Sequence, residues 1–227
     1  MEKPEVVEVD PGLDPDGTVI WLHGLGADGH DFEPIVPELD LGGEVPLRYV
    51  FPHAPVRAVT INGGMSMRAW YDILTLERGG PQDEQGIRAS GDMLEVLIKQ
   101  EQERGIPFKK IVVAGFSQGG AIALHTAMRF SQPLGGVMAL STYVPLRGTL
   151  DAEVFNNPQS QPRDLKIFMA HGSFDPVVPV ELGKSSRDLL QENGFSVEWR
   201  DYPMAHAVCA EEITHICSWL GSIYRRS

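Results

Sequence analysis

Apolar runs of strand length alternate with segments of helical periodicity along this chain of 227 residues. The run at residues 110–114 is almost continuously apolar, as a central strand buried on both faces should be. Helical spacing marks residues 84–104, and Gly194 follows the helical segment 180–193 in the position of a C-cap. Alternation of this kind predicts an α/β fold, with a mostly parallel sheet and helices on both faces.

The same patterns place the individual strands and helices. Strands are expected over residues 19–22, 47–51, 110–114, 137–140, 166–170 and 197–202. Helical segments are expected over residues 31–39, 84–104, 119–130, 180–193 and 211–224. No repeat of solenoid length and no Gly/Ser-rich linker is visible, and α/β folds commonly run to about 200–250 residues as one unit. We therefore expect a single domain over residues 1–227.

The charge balance limits the partners that the chain can bind. Acidic side chains number 31 against 19 basic ones, which gives a formal net charge of −12. Nucleic acids and anionic membrane surfaces would both be repelled by this excess, so neither is expected as the main partner. The hydrophobic fraction of 42% excludes an intrinsically disordered chain but leaves the chemistry open.

No membrane-targeting feature is visible in the sequence. The acidic amino terminus has neither the basic start nor the apolar stretch of a signal peptide. No apolar run approaches the roughly 18–20 residues that a membrane-spanning helix needs. Cys209 and Cys217, in a segment of helical pattern, would lie about 12 Å apart, too far for a disulfide. Reduced thiols and a cytoplasmic protein without integral membrane association are therefore expected.

A Gly-x-Ser-x-Gly pentapeptide at residues 115–119 is the strongest indication of chemistry. It directly follows the predicted central strand and opens a predicted helix, which is the setting of a nucleophile elbow. Such a turn strains the serine backbone and exposes the hydroxyl, so Ser117 is the candidate nucleophile. The flanking glycines leave room for strand and helix to approach each other. The backbone N–H of Gln118, at the start of the helix, can stabilise a developing oxyanion.

A serine hydroxyl needs a base to accept its proton and an acid to orient that base. After a nucleophile elbow these partners follow in the order Ser, Asp or Glu, His, each in a loop after a strand. Asp175 comes directly after the strand predicted to end at Ala170, and His206 comes just after the strand over 197–202. Ser117, Asp175 and His206 are therefore the predicted catalytic residues.

Other residues fit this order less well. The acidic alternatives lie in a polar connection or within a strand pattern: Asp151, Asp164 and Asp201. Four histidines end strands too early in the order or lie in predicted helices: His23, His171, His125 and His215. His53, in an irregular loop, remains an alternative. A metal site built from Cys209, His215 and Cys217 fails on spacing and lacks a paired-cysteine motif, so no metal ligands are predicted.

A second oxyanion donor is expected from the loop after an early strand. The sequence His-Gly-Leu-Gly at residues 23–26 has this position, and its glycines allow backbone amides to turn inward. The N–H of Leu25 is the predicted donor. The alternative is an ordinary turn at the end of a strand.

Residues 52–81 show little clear secondary structure, although they contain several large apolar side chains. Long apolar loops in compact domains are often lids or binding loops. A loop simply packed on the core would have the same composition, so the residues alone leave both interpretations open.

Several motifs occur together and in one order along the chain. They are Leu-His-Gly-Leu-Gly at 22–26, Trp-Tyr-Asp-Ile at 70–73, Gly-Phe-Ser-Gln-Gly-Gly at 115–120, His-Gly at 171–172 with Asp-Pro at 175–176, and Met-x-His at 204–206. With these motifs, from about residue 18 onward, the chain resembles the α/β-hydrolase family of small carboxylesterases, acyl-protein thioesterases and lysophospholipases. It looks most similar to the bacterial carboxylesterases of that group.

The resemblance implies an α/β-hydrolase fold with a mostly parallel central sheet and no large cap domain. It implies that Ser117, Asp175 and His206 form a catalytic triad, and that Leu25 and Gln118 supply the oxyanion hole. It further implies that residues 52–81 form a mobile substrate-binding flap over an acyl channel. The expected substrate-binding residues of this flap are Trp70, Ile73, Leu74 and Leu76.

One departure from the family pattern concerns the acyl chain. Where eukaryotic thioesterases of the family have Trp in a Ser-x-Trp-x-Pro segment, this chain has Tyr143. The departure bears on the acyl-chain preference and leaves the reaction unchanged.

The implied function is a serine hydrolase that cleaves carboxylic esters or thioesters of short to long acyl chains through an acyl-enzyme, without a cofactor. The expected partners are small-molecule or lipid acyl esters and thioesters, and exposed apolar residues around the flap could serve a homodimer interface. The alternative is a ligand-binding receptor or interaction scaffold on the same fold with a vestigial triad, because fold alone does not determine function.

Overall fold

The computed structural model of the chain describes residues 4–12, 14–39, 41, 45–75, 79–157 and 164–225. Its strands are β1 (Val6–Val9), β2 (Gly17–Leu22), β3 (Leu47–Pro52), β4 (Val56–Val59), β5 (Met65–Arg68), β6 (Ile111–Phe116), β7 (Gly136–Leu140), β8 (Ile167–Gly172) and β9 (Val197–Tyr202). Its α-helices are α1 (Glu84–Glu103), α2 (Gln118–Arg129), α3 (Val180–Glu192) and α4 (Ala210–Tyr224). The strands and helices predicted from the sequence all begin and end within two residues of these bounds, except that 31–39 contains a 3₁₀ helix at Glu33–Glu38.

Seven of the strands form one sheet in the order β1-β3-β2-β6-β7-β8-β9. Neighbouring strands are parallel throughout, except that β1 pairs antiparallel with β3 at the edge. The mostly parallel sheet predicted from the sequence is therefore confirmed. Because parallel strands point the same way, the loops that follow β2, β6, β8 and β9 all leave the sheet at one edge.

Helices cover both faces of the sheet, as predicted. Side chains along a strand point alternately to opposite faces, and β2 shows the result. Ile20 and Leu22 pack in the cluster that includes residues of α1 and α2, whereas Val19 and Trp21 pack in the cluster that includes residues of α4. All four side chains are at most 1% exposed. Burial on both faces explains why the central strands read as continuous apolar runs.

Helix α2 packs very closely on β6, at the turn that carries the candidate nucleophile. A Cβ added at Gly115 would collide with the backbone of Gly119, and one added at Gly119 would collide with the carbonyl of Leu22. Residues 118–128 of α2 are all buried. The glycines of the Gly-x-Ser-x-Gly sequence are therefore required by the short distance between strand and helix.

Residues 52–81, expected to have little regular structure, instead contain the antiparallel hairpin of β4 and β5. The expectation was wrong because each strand is only four residues long, too short for a clear alternating pattern, and because Val56 and Met65 are both exposed. The turn between them contains Asn62 followed by Gly63, which has a φ of 67°. This Asn-Gly pair is a hairpin signal that would have found the strands.

Strand β1 also went unpredicted from the sequence. It is only four residues long and pairs on one side, with β3. Pro4 and Pro11 flank it, and such short edge strands with neighbouring prolines give a weak sequence signal.

Cys209 and Cys217 are free thiols, as predicted. Among the described residues, no helix has both the length and the apolar character that crossing a membrane requires.

Helix α4 begins with a carboxyl group buried away from solvent. Glu212 is 0% exposed, and within the described ranges neither carboxyl oxygen has a well-formed hydrogen bond. The backbone N–H of the N-cap residue Cys209 offsets the burial only in part. Burial raises the pKa of Glu212 to about 8, from an ordinary value of 4.5. The folded protein therefore retains at neutral pH a proton that the unfolded chain releases.

We expect Glu212→Gln to remove a pH-dependent loss of stability. The unfolded chain gains by releasing the proton, so the free energy of unfolding should fall between about pH 4.5 and about pH 8 and then level off. The fall due to this group is on the order of 5 kcal/mol. Urea unfolding at about pH 5 and about pH 8 should show the fall in the wild type and in the exposed control Glu211→Gln. An equal fall in Glu212→Gln would contradict the assignment.

Candidate active site

The turn between β6 and α2 holds Ser117 in a backbone conformation that serine rarely adopts. Its φ is 53° and its ψ is −118°, and a positive φ is uncommon outside glycine. Two hydrogen bonds fix the turn: Ser117 N–H donates to the Leu140 carbonyl at 2.8 Å, and the Thr142 hydroxyl donates to the Ser117 carbonyl at 2.6 Å. Strained residues held in this way by their surroundings cluster at functional sites.

A buried carboxylate and a histidine meet at the same edge of the sheet. His206 Nδ1 lies 2.6 Å from Asp175 Oδ2, with the Asp175 side chain fully buried and the His206 side chain 16% exposed. Asp175 Oδ1 accepts the backbone N–H groups of Val177 and Val178 at 2.8 and 2.9 Å. These donors fix the carboxylate, which can then orient the His206 ring with Nδ1 protonated.

The loops that follow β8 and β9 are tied to each other through their backbones. Ser173 N–H donates to the Tyr202 carbonyl at 2.8 Å, and Phe174 N–H donates to the Met204 carbonyl at 3.0 Å. A Cβ added at Gly172 would collide with the backbone of the second loop. Together with the pairing of β8 and β9, these contacts set the distance between the carboxylate and the imidazole.

The His206 ring also lies beside the nucleophile turn. Its centroid is 4.6 Å from that of Phe116, the residue immediately before Ser117. The Ser117 hydroxyl occupies the N-cap position of α2 without capping the helix. Ser117 and His206, both among the described residues, are not hydrogen-bonded to each other, and catalytic hydrogen bonds often tighten only when substrate binds.

The loop after β2 lies against the turn that carries Ser117. A Cβ added at Gly24 would lie 3.6 Å from the Ser117 Cβ, which places the peptide between Gly24 and Leu25 at the nucleophile turn. Gly26, with a φ of 79°, turns the chain after this peptide and donates its N–H to a carbonyl of β5 at 2.9 Å. Gln118 begins α2, so its N–H has no acceptor within its own helix.

The Gln118 side chain holds the segment in which the substrate-binding residues are predicted. Trp70 N–H donates to Gln118 Oε1 at 2.8 Å, and Gln118 Nε2 donates to the Tyr71 carbonyl at 2.7 Å. Trp70 is 1% exposed, and its indole Nε1 donates to the His23 carbonyl at 2.9 Å. Trp70 is thus fixed as a buried support of this segment.

The other predicted substrate-binding residues follow an anchor point. Asp72 accepts the backbone N–H and the hydroxyl of Thr60 at 2.7 and 2.5 Å. Directly after this anchor, Ile73 is half-buried and Leu74 is 39% exposed. Leu76 lies outside the described residues.

Two buried histidines that end strands also contact the site, although their place in the sequence excludes them as the base. His171 Nε2 donates to the Val178 carbonyl at 2.8 Å and lies 3.5 Å from Asp175 Oδ2. Burial lowers the pKa of His171, so this ring is neutral at pH 7. His23 Nδ1 lies 2.7 Å from the Gly24 carbonyl. Both residues belong to His-Gly pairs that are visible in the sequence, but their contacts with the site were not predicted from it.

The remaining histidine alternatives are engaged elsewhere. His53 Nδ1 accepts the Gly29 N–H at 3.0 Å, and His215 Nδ1 is hydrogen-bonded to the Tyr202 hydroxyl at 2.9 Å. His125 is 4% exposed in α2, where burial lowers its pKa to about 3. In the part of the chain that the structure describes, no three His, Cys, Asp or Glu side chains are grouped to hold a metal ion.

Known proteins share both the sequence and the fold of this chain. Residues 2–223 match the phospholipase/carboxylesterase family. Acyl-protein thioesterase 1 of Mycosarcoma maydis is 38% identical over 233 residues, which cover 96% of this chain and 95% of that protein. Acyl-protein thioesterase 1 of Neurospora crassa is 39% identical over 210 residues, which cover 89% and 85% of the two chains. The crystal structure of Zea mays acyl-protein thioesterase 2 has a TM-score of 0.85 at 28% identity, over 98% of this chain and 100% of that one. The chain belongs to the phospholipase/carboxylesterase family and is a hydrolase with the α/β-hydrolase fold.

Proposed function

We propose that this chain is a serine hydrolase that cleaves carboxylic esters or thioesters through a Ser117–His206–Asp175 triad and an acyl-enzyme. The observation that carries the proposal is the 2.6 Å contact between His206 Nδ1 and the buried Asp175 carboxylate, beside the strained turn of Ser117. Membership of the phospholipase/carboxylesterase family and the thioesterases among the relatives support the same class of reaction.

In the first half-reaction, Ser117 Oγ attacks the carbonyl carbon of the bound ester or thioester while His206 Nε2 accepts the hydroxyl proton. Asp175 stays ionised, holds the ring through Nδ1–H and stabilises the imidazolium that forms. The N–H groups of Leu25 and Gln118 donate hydrogen bonds to the oxyanion. The tetrahedral intermediate then collapses, and the alcohol or thiol leaves with the proton held by His206.

In the second half-reaction, water attacks the carbonyl carbon of the acyl-enzyme and gives a proton to His206. The same two backbone N–H groups stabilise the second oxyanion. Collapse releases the carboxylic acid, and the proton returns to Ser117 Oγ. Apart from the substrate and the attacking water, these steps use side chains and backbone groups of this chain.

The proposed acyl site lies where the anchored segment of residues 70–72 ends. The half-buried Ile73 and the exposed Leu74 present apolar surface directly after this segment, which the Gln118 side chain holds against the nucleophile turn. We therefore assign residues 52–81 as a substrate-binding flap for a neutral acyl chain. An anchored segment with apolar residues directly after it suits a flap that closes over an acyl chain.

Tyr143, the residue that departs from the family pattern, contacts the anchored segment of this proposed flap. Its hydroxyl is hydrogen-bonded to the hydroxyl of Tyr71 at 3.1 Å. The backbone carbonyl of Tyr71 in turn accepts a hydrogen bond from Gln118 Nε2. A change of residue at position 143 therefore acts on the acyl site through a hydrogen bond.

Leu74→Glu is expected to discriminate against long acyl chains. A carboxylate beside the chain must be desolvated when the chain binds, a cost that an acetyl group does not impose. We expect kcat/KM for octanoyl esters to fall at least about tenfold more than kcat/KM for acetyl esters, which corresponds to about 1.4 kcal/mol. Leu74→Met is the control, because it keeps an apolar side chain of similar size at the same position without adding a charge.

Matched oxygen esters and thioesters, from acetyl to palmitoyl, test both the reaction and the flap. The proposal predicts turnover of both bond types, with the chain-length effect confined to Leu74→Glu. Equal losses of octanoyl and acetyl hydrolysis in Leu74→Glu would contradict the flap assignment. Absence of turnover with every member of the series would contradict the proposed reaction.

A further inference from the structure

His23 is a buried histidine that the proposed mechanism does not use. It directly follows β2 and is 2% exposed, and the centroid of its ring lies 5.2 Å from that of the Trp70 ring. Burial lowers the pKa of His23, so the ring is neutral at pH 7 and carries a single N–H.

The hydrogen bonds of His23 decide which nitrogen carries that proton. Ala54 donates its backbone N–H to His23 Nε2 at 3.1 Å, so Nε2 is the acceptor nitrogen. The proton therefore lies on Nδ1, which donates to the Gly24 carbonyl at 2.7 Å. Both ring nitrogens are satisfied, and the tautomer is fixed by its neighbours.

The Gly24 carbonyl belongs to the same peptide group as the Leu25 N–H, the proposed oxyanion donor. In a planar trans peptide the C=O and the N–H point in opposite directions, and no cis peptide occurs in the described residues. His23 holds the carbonyl oxygen on one side of this peptide, and the Ala27 N–H supports it with a longer bond of 3.3 Å. The direction of the Leu25 N–H is thereby set.

We propose that neutral His23 is a positioning residue that aims the Leu25 N–H at the oxyanion formed on the carbonyl attacked by Ser117. The inference rests on the proposed function, because it needs Leu25 to be an oxyanion donor. Gly24 lies against the nucleophile turn, so a rotation of its peptide would move the N–H at the reacting centre. Hydrogen bonding to a peptide carbonyl also polarises the group and makes its N–H a stronger donor.

A purely structural role for His23 must be distinguished from this one, because the residue also packs on Trp70. Asparagine and glutamine separate the two ring functions. In His23→Asn, the side-chain amide nitrogen takes the place of Nδ1 and can donate to the Gly24 carbonyl. In His23→Gln, the side-chain amide oxygen reaches the place of Nε2 and can accept the Ala54 N–H, but the Gly24 carbonyl keeps only the longer bond from the Ala27 N–H.

His23→Gln is expected to lower kcat about 10- to 100-fold with KM changed less than about threefold, because an oxyanion donor acts only in the transition state. His23→Asn should retain kcat within about fivefold of the wild type, although it loses the Ala54 contact. A trifluoromethyl ketone with an alkyl chain, which forms a tetrahedral oxyanion on the nucleophile, should lose affinity for His23→Gln by the same factor as kcat.

Labelling with a fluorophosphonate separates failure of this inference from failure of the proposed function. If the wild type is labelled at Ser117, and folded His23→Gln keeps wild-type kcat and ketone affinity, the positioning role is wrong. The positioning role would also be wrong if His23→Gln and His23→Asn lost kcat equally and in parallel with their losses of melting temperature. That result would indicate a packing role for His23. A wild type that is not labelled at Ser117 contradicts the proposed function itself.

Discussion

Ser117→Ala is expected to lower the hydrolysis of p-nitrophenyl butyrate at least about a thousandfold, because the atom that forms the acyl-enzyme is removed. The Leu25 and Gln118 amides remain in this variant, so a low residual rate above that in water is compatible with the proposed mechanism. The measurement is kcat/KM on protein whose fold is verified by circular dichroism. A folded variant that keeps a tenth of the activity would contradict the assignment of the nucleophile.

Ser141→Ala is a matched control for this loss. Ser141 follows β7 at the same edge of the sheet and also has a positive φ, 48° against 53° for Ser117. Its hydroxyl is buried and, among the described residues, has no hydrogen-bond partner, so its removal leaves no broken bond. Activity within a few fold of the wild type is expected for Ser141→Ala.

Asp175→Asn should have the second largest effect, a loss of about a thousandfold or more in kcat with little change in KM. An amide in place of the carboxylate cannot stabilise the imidazolium of His206. If its NH₂ group turns toward Nδ1, it also favours the tautomer with Nε2 protonated, which cannot accept the proton of Ser117. The fixed geometry of Oδ1, bonded to two backbone N–H groups, favours that unproductive orientation.

Asp201→Asn is the control for loss of one carboxylate near the same strand. Asp201 lies in β9, and its exposed carboxylate is 3.8 Å from the Lys184 ammonium. Exposed ion pairs of this kind contribute little to stability, so wild-type activity is expected. A loss of less than tenfold in Asp175→Asn, or equal losses in both variants, would contradict the role given to Asp175.

The candidate site could be located from the sequence because its residues follow strands. Ser117, Asp175 and His206 each follow a strand whose pattern is recognisable, and parallel strands bring their carboxyl ends to one edge. In the structure Asp175 and His206 are in contact, and backbone hydrogen bonds join the loops that carry them. Motif order and sheet topology were therefore enough to predict where these three residues lie.

The supports of the site could not be predicted, because they are contacts between side chains and distant backbone. The Gln118 side chain bonds to Trp70 and Tyr71, and His23 bonds to Ala54 across the sheet edge. The hydrophobic periodicity of a sequence does not indicate such long-range contacts. The sequence also does not show whether an aromatic residue in a predicted binding segment is buried or exposed. Trp70, predicted to bind substrate, is 1% exposed.

The central claim, that Ser117 is the activated nucleophile of a triad, is tested most directly by mass spectrometry after treatment with a fluorophosphonate. We expect one covalent adduct per chain, located on Ser117 by peptide mapping, with labelling at least about a hundredfold slower in Asp175→Asn. An unmodified wild type, or an adduct that persists in Ser117→Ala, would contradict the claim.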